Sequence, residues 1–294
     1  MILALISGIF LVRAYQTSPE PQPFSPTDSS ALRIVSMAPN LTEILFEMGL
    51  EDSLVGISSD SDYPAGVESI PKVGTFWQPD MEAVIARRPT LVITLGFSQQ
   101  AKMADKLRSL GIETLTVDIE SIDDLFNAIQ VIGEASDRRQ TAEQLVDKLK
   151  GQFETLRSEC VGHDPISVLW VIQRSPLRVA GQQTYVTECL EIIGAANAIG
   201  PTLHQYPPID AEQVLAANPD VIVEPVNSMD NPHKQFDEAL QFYNRFSRIE
   251  AVKNNRIYLV NADLVSRIGP RLPKGLHQLA LGIRTHDSSQ EALP

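Results

Sequence analysis

Asp80-Met-Glu82-Ala-Val84-Ile-Ala86-Arg-Arg-Pro89-Thr-Leu-Val-Ile93 returns 130 residues later, without a gap, as Asp210-Ala-Glu212-Gln-Val214-Leu-Ala216-Ala-Asn-Pro219-Asp-Val-Ile-Val223. Asp, Glu, Val, Ala and Pro hold the same places in both copies. Each copy has a physical reading. The Asp caps a short helix, and the acidic residue in its first turn suits the helix dipole. The Pro stops that helix, and the apolar run after it reads as a buried parallel strand. Upstream, Thr42-Glu43-Ile-Leu45-Phe-Glu-Met-Gly49 matches Thr187-Glu188-Cys-Leu190-Glu-Ile-Ile-Gly194. Strands over Arg33–Ser36 and Ser167–Ile172 lead into these helices, which end at Gly49 and Gly194. Two ordered matches of strand–helix units predict an α/β protein with two similar lobes and parallel-rich central sheets.

Between the repeats lies 121–160. Asp123–Ala135 has helical periodicity, and Asp137–Glu159 holds no Pro and one Gly, Gly151. About 23 helical residues span roughly 34 Å. Such a helix is either a surface element of one lobe or a rigid connection between the two. Its place between the repeats favours one long connecting helix. The expected division is 32–120 for the first lobe, 121–160 for the connection and 161–285 for the second lobe, with a tail at 286–294.

The 294 residues suit two lobes, and 43% apolar residues are enough to bury their cores. With 24 basic and 37 acidic residues the formal charge is −13, and no Lys/Arg-rich run exists, which argues against nucleic acid and against a polybasic membrane-surface protein. Cys160 and Cys189 form no C-x-x-C pair, which excludes a thiolate zinc site. The five histidines lie in the second half with no i, i+4 pair, so no metal site is expected. G-x-S-x-G, G-x-x-x-x-G-K-[ST] and G-x-G-x-x-G are all missing from the sequence, and no carboxylate pair is marked by spacing as acid and base, so an enzyme is not expected.

Ile2–Val12 is an apolar run of 11 residues, too short for a bilayer span but suited to a signal-peptide core, with a cut expected after Ala14. No Lys or Arg precedes the run, and no Cys follows it to take a lipid there. Residues 1–14 are therefore expected to be a signal peptide, and 15–31, with Pro19, Pro21, Pro23 and Pro26, an extended tether. A soluble protein of a Gram-negative periplasm is the expectation.

Two repeated α/β lobes, a long helix between them and a signal peptide resemble the periplasmic binding proteins of ABC importers. More narrowly, they resemble the helical-backbone class that binds cobalamin, ferric siderophores or haem. The landmarks are Ser36-Met-Ala-Pro-Asn-Leu-Thr-Glu43, Gly56-Ile-Ser-Ser-Asp-Ser-Asp-Tyr-Pro64, Val73-Gly-Thr-Phe-Trp77, the paired Glu-containing helix starts and Asp263-Leu-Val-Ser-Arg267-Ile-Gly-Pro-Arg271. Ser-Asp-Tyr-Pro, the Trp after Val-Gly-x-x and Asp-x-x-x-Arg are most similar to the cobalamin-binding members.

The resemblance implies capture of a cobalamin-like ligand between the lobes, delivery to ABC permease subunits and no cofactor of the protein's own; a monomer is expected. A corrin is a broad apolar disc rimmed by amides, so its site needs aromatic faces and a few hydrogen-bonding groups. The resemblance places Tyr63 and Trp77 there, with Tyr206 as the matching aromatic of the second lobe, where the cobalamin binders tend to have Trp. It adds the Pro39–Asn40 loop and the pair Asp263 and Arg267, which would share a helix face at i, i+4. Glu82 and Glu212 resemble the carboxylates, one per lobe, that dock onto permease arginines; helix-dipole stabilisation is their other reading. Cys160 and Cys189 are candidates for a disulfide in an oxidising compartment. A siderophore binder would share this fold but need more basic groups, and Arg174, Arg178 and Arg267 are the candidates.

Overall fold

The computed structural model describes residues 31–227 and 231–285. The expected signal peptide at 1–14, all of the 15–31 tether but Ala31, and the 286–294 tail lie outside the described residues.

The first lobe runs β1 (Ile34–Ser36), α1 (Pro39–Glu47), β2 (Leu54–Ile57), α2 (Met81–Ala86), β3 (Leu91–Leu95), α3 (Ser98–Ser109) and β4 (Glu113–Val117). Its four strands are all parallel, in the order β2-β1-β3-β4. Helices α4 (Ile122–Ala135) and α5 (Arg139–Cys160) follow. The second lobe comprises β5 (Ile166–Arg174), β6 (Leu177–Val179), α6 (Tyr185–Ile192), β7 (Ala195–Asn197), α7 (Ala211–Ala217), β8 (Val221–Val226), α8 (Pro232–Tyr243), α9 (Glu250–Lys253), β9 (Ile257–Asn261), α10 (Ala262–Val265) and α11 (Leu272–Thr285). Its strands run β6-β5-β8-β9, with β7 beside the first half of β5 and only β6 antiparallel. This is a two-lobe α/β fold with parallel-rich sheets.

The duplication extends to individual atoms. Asp80 Oδ1 accepts from Ala83 N at 3.0 Å, and Asp210 Oδ1 from Gln213 N at 2.9 Å, each capping its helix. Both helices stop in a left-handed residue at equivalent positions, Arg88 at φ 50° and Asn218 at φ 38°. Asn tolerates that conformation better than Arg. In the first lobe Arg33 compensates, its guanidinium donating to the carbonyls of Arg87 at 2.6 Å and Arg88 at 2.9 Å that the helix end leaves free. Gly49 and Gly194, at φ 66° and 65°, end α1 and α6 in the same way.

Segment 121–160 folds as two helices, α4 over the periodic stretch expected at Asp123–Ala135 and α5 over the long run expected at Asp137–Glu159. Ser136 Oγ bonds back to Ile132 O, and Asp137 turns left-handed at φ 56°, so α4 ends and α5 returns against it. Gly133 permits the turn, since a Cβ there would collide with that of Ala142. Phe126 and Phe153 meet edge to face further along the hairpin. The 22-residue α5 still reaches both lobes: Lys148 pairs with Glu47 of α1 at 2.7 Å, and Cys160 lies against Gly194. The largest apolar core runs unbroken from Ile34 and Leu41 through Phe153 to Trp170, Val223 and Leu276, so the lobes share one core.

Cys160 and Cys189 are both buried free thiols in the structure, so the expected disulfide is not formed in it. Burial pushes the Cys189 thiol well above its ordinary range. Apolar packing, rather than a covalent bond, joins α5 to the second lobe here.

Gly→Ala in a helix ordinarily gains up to about 1 kcal/mol. At Gly133 the collision with Ala142 reverses the sign, and Gly133→Ala is expected to lose about 1–3 kcal/mol in urea unfolding. Unchanged or raised stability would show that the hairpin is not closely packed there.

Candidate functional site

In open α/β sheets, ligands gather at the carboxyl ends of the strands. In the first lobe these ends carry Met37–Asn40 after β1, Ser58–Tyr63 after β2 and Gly96–Phe97 after β3. In the second they carry the β5–β6 turn and the start of α10.

Four of the expected residues join one inter-lobe seam. Asn40, buried at the start of α1, donates through Nδ2 to Ile268 O at 3.1 Å. Arg267 spans the lobes, its guanidinium 2.8 Å from Asp62, 2.6 Å from Asp263 and 3.9 Å from Glu43. The expected Asp263–Arg267 pair therefore forms, but not along a helix: α10 stops at Val265 and Arg267 lies beyond its end. Arg271 reaches Glu43 at 2.5 Å and lies over the Tyr63 ring at 4.1 Å. Gly269 lets the backbones approach, since a Cβ there would stand 3.2 Å from Asn40 Cβ. Pro39 sits half-buried at the first turn of α1. A cavity of about 280 Å³ opens beside Glu43, Tyr63, Pro270 and Arg271.

The seam sets three carboxylates against two guanidiniums, so both arginines are paired and one formal negative charge is left over. Burial pushes Glu43 above its ordinary value, more than Arg271 and Arg267 pull it down. Burial also raises Asp263 against the pull of Arg267. Asp62 is pushed up by burial too, but the hydrogen bond and charge of Arg267 outweigh that and leave it lowered. In the second lobe Arg174 pairs with Glu224 at 2.9 Å, and Tyr243 donates to the same carboxylate at 2.8 Å.

Trp77 belongs to a second group. It is 61% exposed and stands edge to face with Phe76 at 4.8 Å and Phe97 at 5.9 Å, while Phe76 and Phe97 meet at 5.1 Å. Tyr206 is half-buried against the shared core, and its carbonyl accepts from Arg178 at 3.1 Å. Burial, reinforced by Glu120 and Cys189, raises the Tyr206 phenol and keeps it protonated. Glu82 and Glu212 are exposed in the first turns of α2 and α7. A larger cavity, about 550 Å³, lies where α4 and α5 meet Glu188 and contains none of the expected ligand residues. Among the described residues no group of three or more His, Cys, Asp or Glu is placed to hold a metal ion.

Sequence reasoning missed Phe97, Glu43, Asp62 and Arg271. Phe97 was marked only by its position just past a strand end. Glu43 stands in the duplicated Thr-Glu pair, and its counterpart Glu188 also makes a distant contact, accepting from Ile122 N at 3.1 Å.

The periplasmic binding protein family model matches residues 34–264, and the chain belongs to that family. It is 33% identical over 259 residues to the uncharacterized ABC transporter substrate-binding lipoprotein YvrC of Bacillus subtilis, covering 85% of this chain and 79% of that one. It is 25% identical over 279 residues to the vitamin B12-binding protein of Vibrio cholerae, covering 95% and 96%. The solved periplasmic vitamin B12 binding protein of Vibrio cholerae superposes with a TM-score of 0.72 at 25% identity, covering 87% and 98%. The periplasmic heme-binding protein RhuT from Roseiflexus sp. gives 0.77 at 23%, covering 88% and 99%, a likeness of fold alone. Proteins of this family are transport proteins that bind carried ligands and hold no cofactor. No helix among the described residues is long and apolar enough to cross a membrane.

Glu43 binds its proton more tightly in the folded chain than in the unfolded one, so its titration withdraws stability as pH rises from 4.5 through the higher folded value. Below 4.5 both states are protonated and the effect vanishes. Glu43→Gln, which cannot titrate, is expected to gain in stability relative to the parent between pH 4.5 and 7. Urea unfolding at both pH values checks this, and a pH-independent difference would remove the burial effect.

Proposed function

We propose that this protein captures a cobalamin-like corrinoid between its lobes and delivers it to the membrane subunits of an ABC importer. The carrying observation is an exposed aromatic wall combined with a seam whose arginines are already paired with carboxylates. An aromatic wall suits the face of a broad, mostly apolar disc, and amide groups at its rim suit Asn40, Asp263 and Arg267. An anionic siderophore calls for unpaired cations. Of the candidates, Arg174 and Arg267 are held by Glu224, Asp62 and Asp263, and Arg271 beside them by Glu43. Arg178 alone meets no carboxylate among the described residues, donating to Tyr206 O. A ferric haem calls for an axial ligand, and the raised Tyr206 phenol is a poor phenolate donor.

Pro39, Asn40, Tyr63, Trp77, Tyr206, Asp263 and Arg267 form the ligand set, and Phe97 joins it beside Trp77. Glu82 and Glu212, one on each lobe at equivalent helix starts, are the permease contacts. The protein works as a monomer outside the cytoplasmic membrane, in a Gram-negative periplasm. The shared core and the charged seam support limited lobe movement on binding.

Calorimetric titration with cyanocobalamin, then with a panel of ferric siderophores and hemin, tests the ligand. Saturable one-to-one cobalamin binding is expected, weakened about 10- to 100-fold by Trp77→Ala, the loss of one aromatic stacking face. Because Trp77 is exposed, its removal leaves thermal unfolding in place. Binding of a siderophore or hemin and not cobalamin would keep the family and replace the ligand. For docking, Glu82→Ala with Glu212→Ala is expected to cut uptake in a reconstituted importer while ligand affinity stays within twofold. Undiminished uptake would remove both from the contact.

A further inference from the structure

Behind the aromatic wall lies a polar side chain with no access to solvent. Gln100, on α3 and 0% exposed, uses its whole amide. Its Oε1 accepts from Leu95 N at 2.8 Å, and its Nε2 donates to Met37 O at 3.0 Å and Phe76 O at 3.1 Å. The amide orientation is fixed by its partners, since only this one sets an acceptor against an N–H and donors against two carbonyls. The three partners belong to three segments at the carboxyl edge of the first sheet: the end of β3, which runs into Gly96 and Phe97; the turn after β1, which leads to Pro39 and Asn40; and the loop carrying Phe76 and Trp77.

We infer that Gln100 is the positioning residue of the aromatic wall, setting where Trp77 and Phe97 stand relative to each other. The inference rests on the reading of that wall as ligand-facing. Phe76 and Phe97 flank Trp77, and the backbone of each is tied within one or two residues of the Gln100 amide. The Phe76 segment has further braces on its β2 side, where the Asp60 carboxylate accepts from Phe76 N at 2.5 Å and Gly74 O accepts from Ser59 N at 2.8 Å, but neither of these reaches Phe97. Within the segment, Thr75 N bonds to Gln78 O at 3.0 Å and Gln78 N to Thr75 Oγ1 at 2.9 Å, closing a tight turn around Trp77. A closed turn moves as a body, so its place against Phe97 depends on what ties it to the sheet edge, and Gln100 is the group that ties to both. A wall so held binds a flat ligand without first being ordered, which lowers the entropy lost on binding. Removing the amide strands a buried N–H and two carbonyls, and the loop gains freedom as those groups seek water.

The test uses the full chain and Gln100→Met, which keeps the length and removes every hydrogen bond. Time-resolved fluorescence anisotropy without ligand reads Trp77 directly, because the other tryptophan, Trp170, is 1% exposed in the core. The fast depolarising component is expected to grow about twofold as the loop loosens. Cyanocobalamin affinity is expected to fall about 5- to 10-fold, and in a Trp77→Ala background the further loss should shrink below about twofold, because the two residues act through one element. An unchanged fast component, or losses that multiply, would overturn the positioning role. If Trp77→Ala itself leaves cobalamin affinity unchanged, the ligand reading fails while the anisotropy result still decides the inference. Should Gln100→Met not fold, Gln100→Glu keeps the length and the acceptor for Leu95 N while withdrawing the amide donors from Met37 O and Phe76 O. The same rise in fast depolarisation is then expected, and its absence would overturn the inference.

Discussion

Glu43 is the constraint on which the relation between the lobes depends. Its side chain is only 3% exposed, and a carboxylate is stable in such a place only when partnered. Its partners, Arg271 and Arg267, belong to the other lobe, and Arg267 is shared with Asp62 and Asp263. Parting the lobes at this seam would break the contacts of Glu43 with both guanidiniums at once and exchange them for water. The shared apolar core opposes the same motion from below. The equivalent helix of the second lobe repeats the device in another form, with Glu188 capping the first amide of α4. One duplicated Thr-Glu helix start thus contributes twice to holding the lobes, through a guanidinium in one case and a helix N-terminus in the other.

The duplication made most of the fold legible in the sequence. A gapless offset of 130 residues located α2 with β3 and α7 with β8, and the Asp caps formed as their positions required. The two helices of the 121–160 segment were legible from periodicity and from the absence of Pro. Their return against each other was not, because it depends on Asp137 turning left-handed and on Gly133 allowing the helices to touch. The β5–β6 hairpin was also hidden, because it interrupts only the second copy and gives the repeat no signal to match. In the site, Asp263 and Arg267 were marked by the family resemblance and expected to pair along a helix face, yet they meet around the end of a four-residue helix. Gln100 carried no signal at all. A glutamine on a polar helix reads as a solvated residue until the loop it holds is seen folded against it.

Charge and stiffness bear on selectivity together. A binding protein whose lobes close widely selects its ligand by the contacts made on closing, so its open cleft need not be specific. On the proposed function, the seam and the shared core would hold the lobe spacing, and selection would fall on a cleft already shaped before the ligand arrives. Such a cleft would discriminate by size, flatness and charge: on the proposed site, an anion would gain little from guanidiniums already held by carboxylates and would meet Asp62 and Asp263 at close range. A ligand presenting a wide apolar face and neutral hydrogen-bonding groups loses nothing to those carboxylates and gains the full area of the wall. On the same reading a buried amide behind that wall would matter: with lobes that adapt little, the fit would depend on the placing of Phe76, Trp77 and Phe97, and hence on the hydrogen bonds that anchor them.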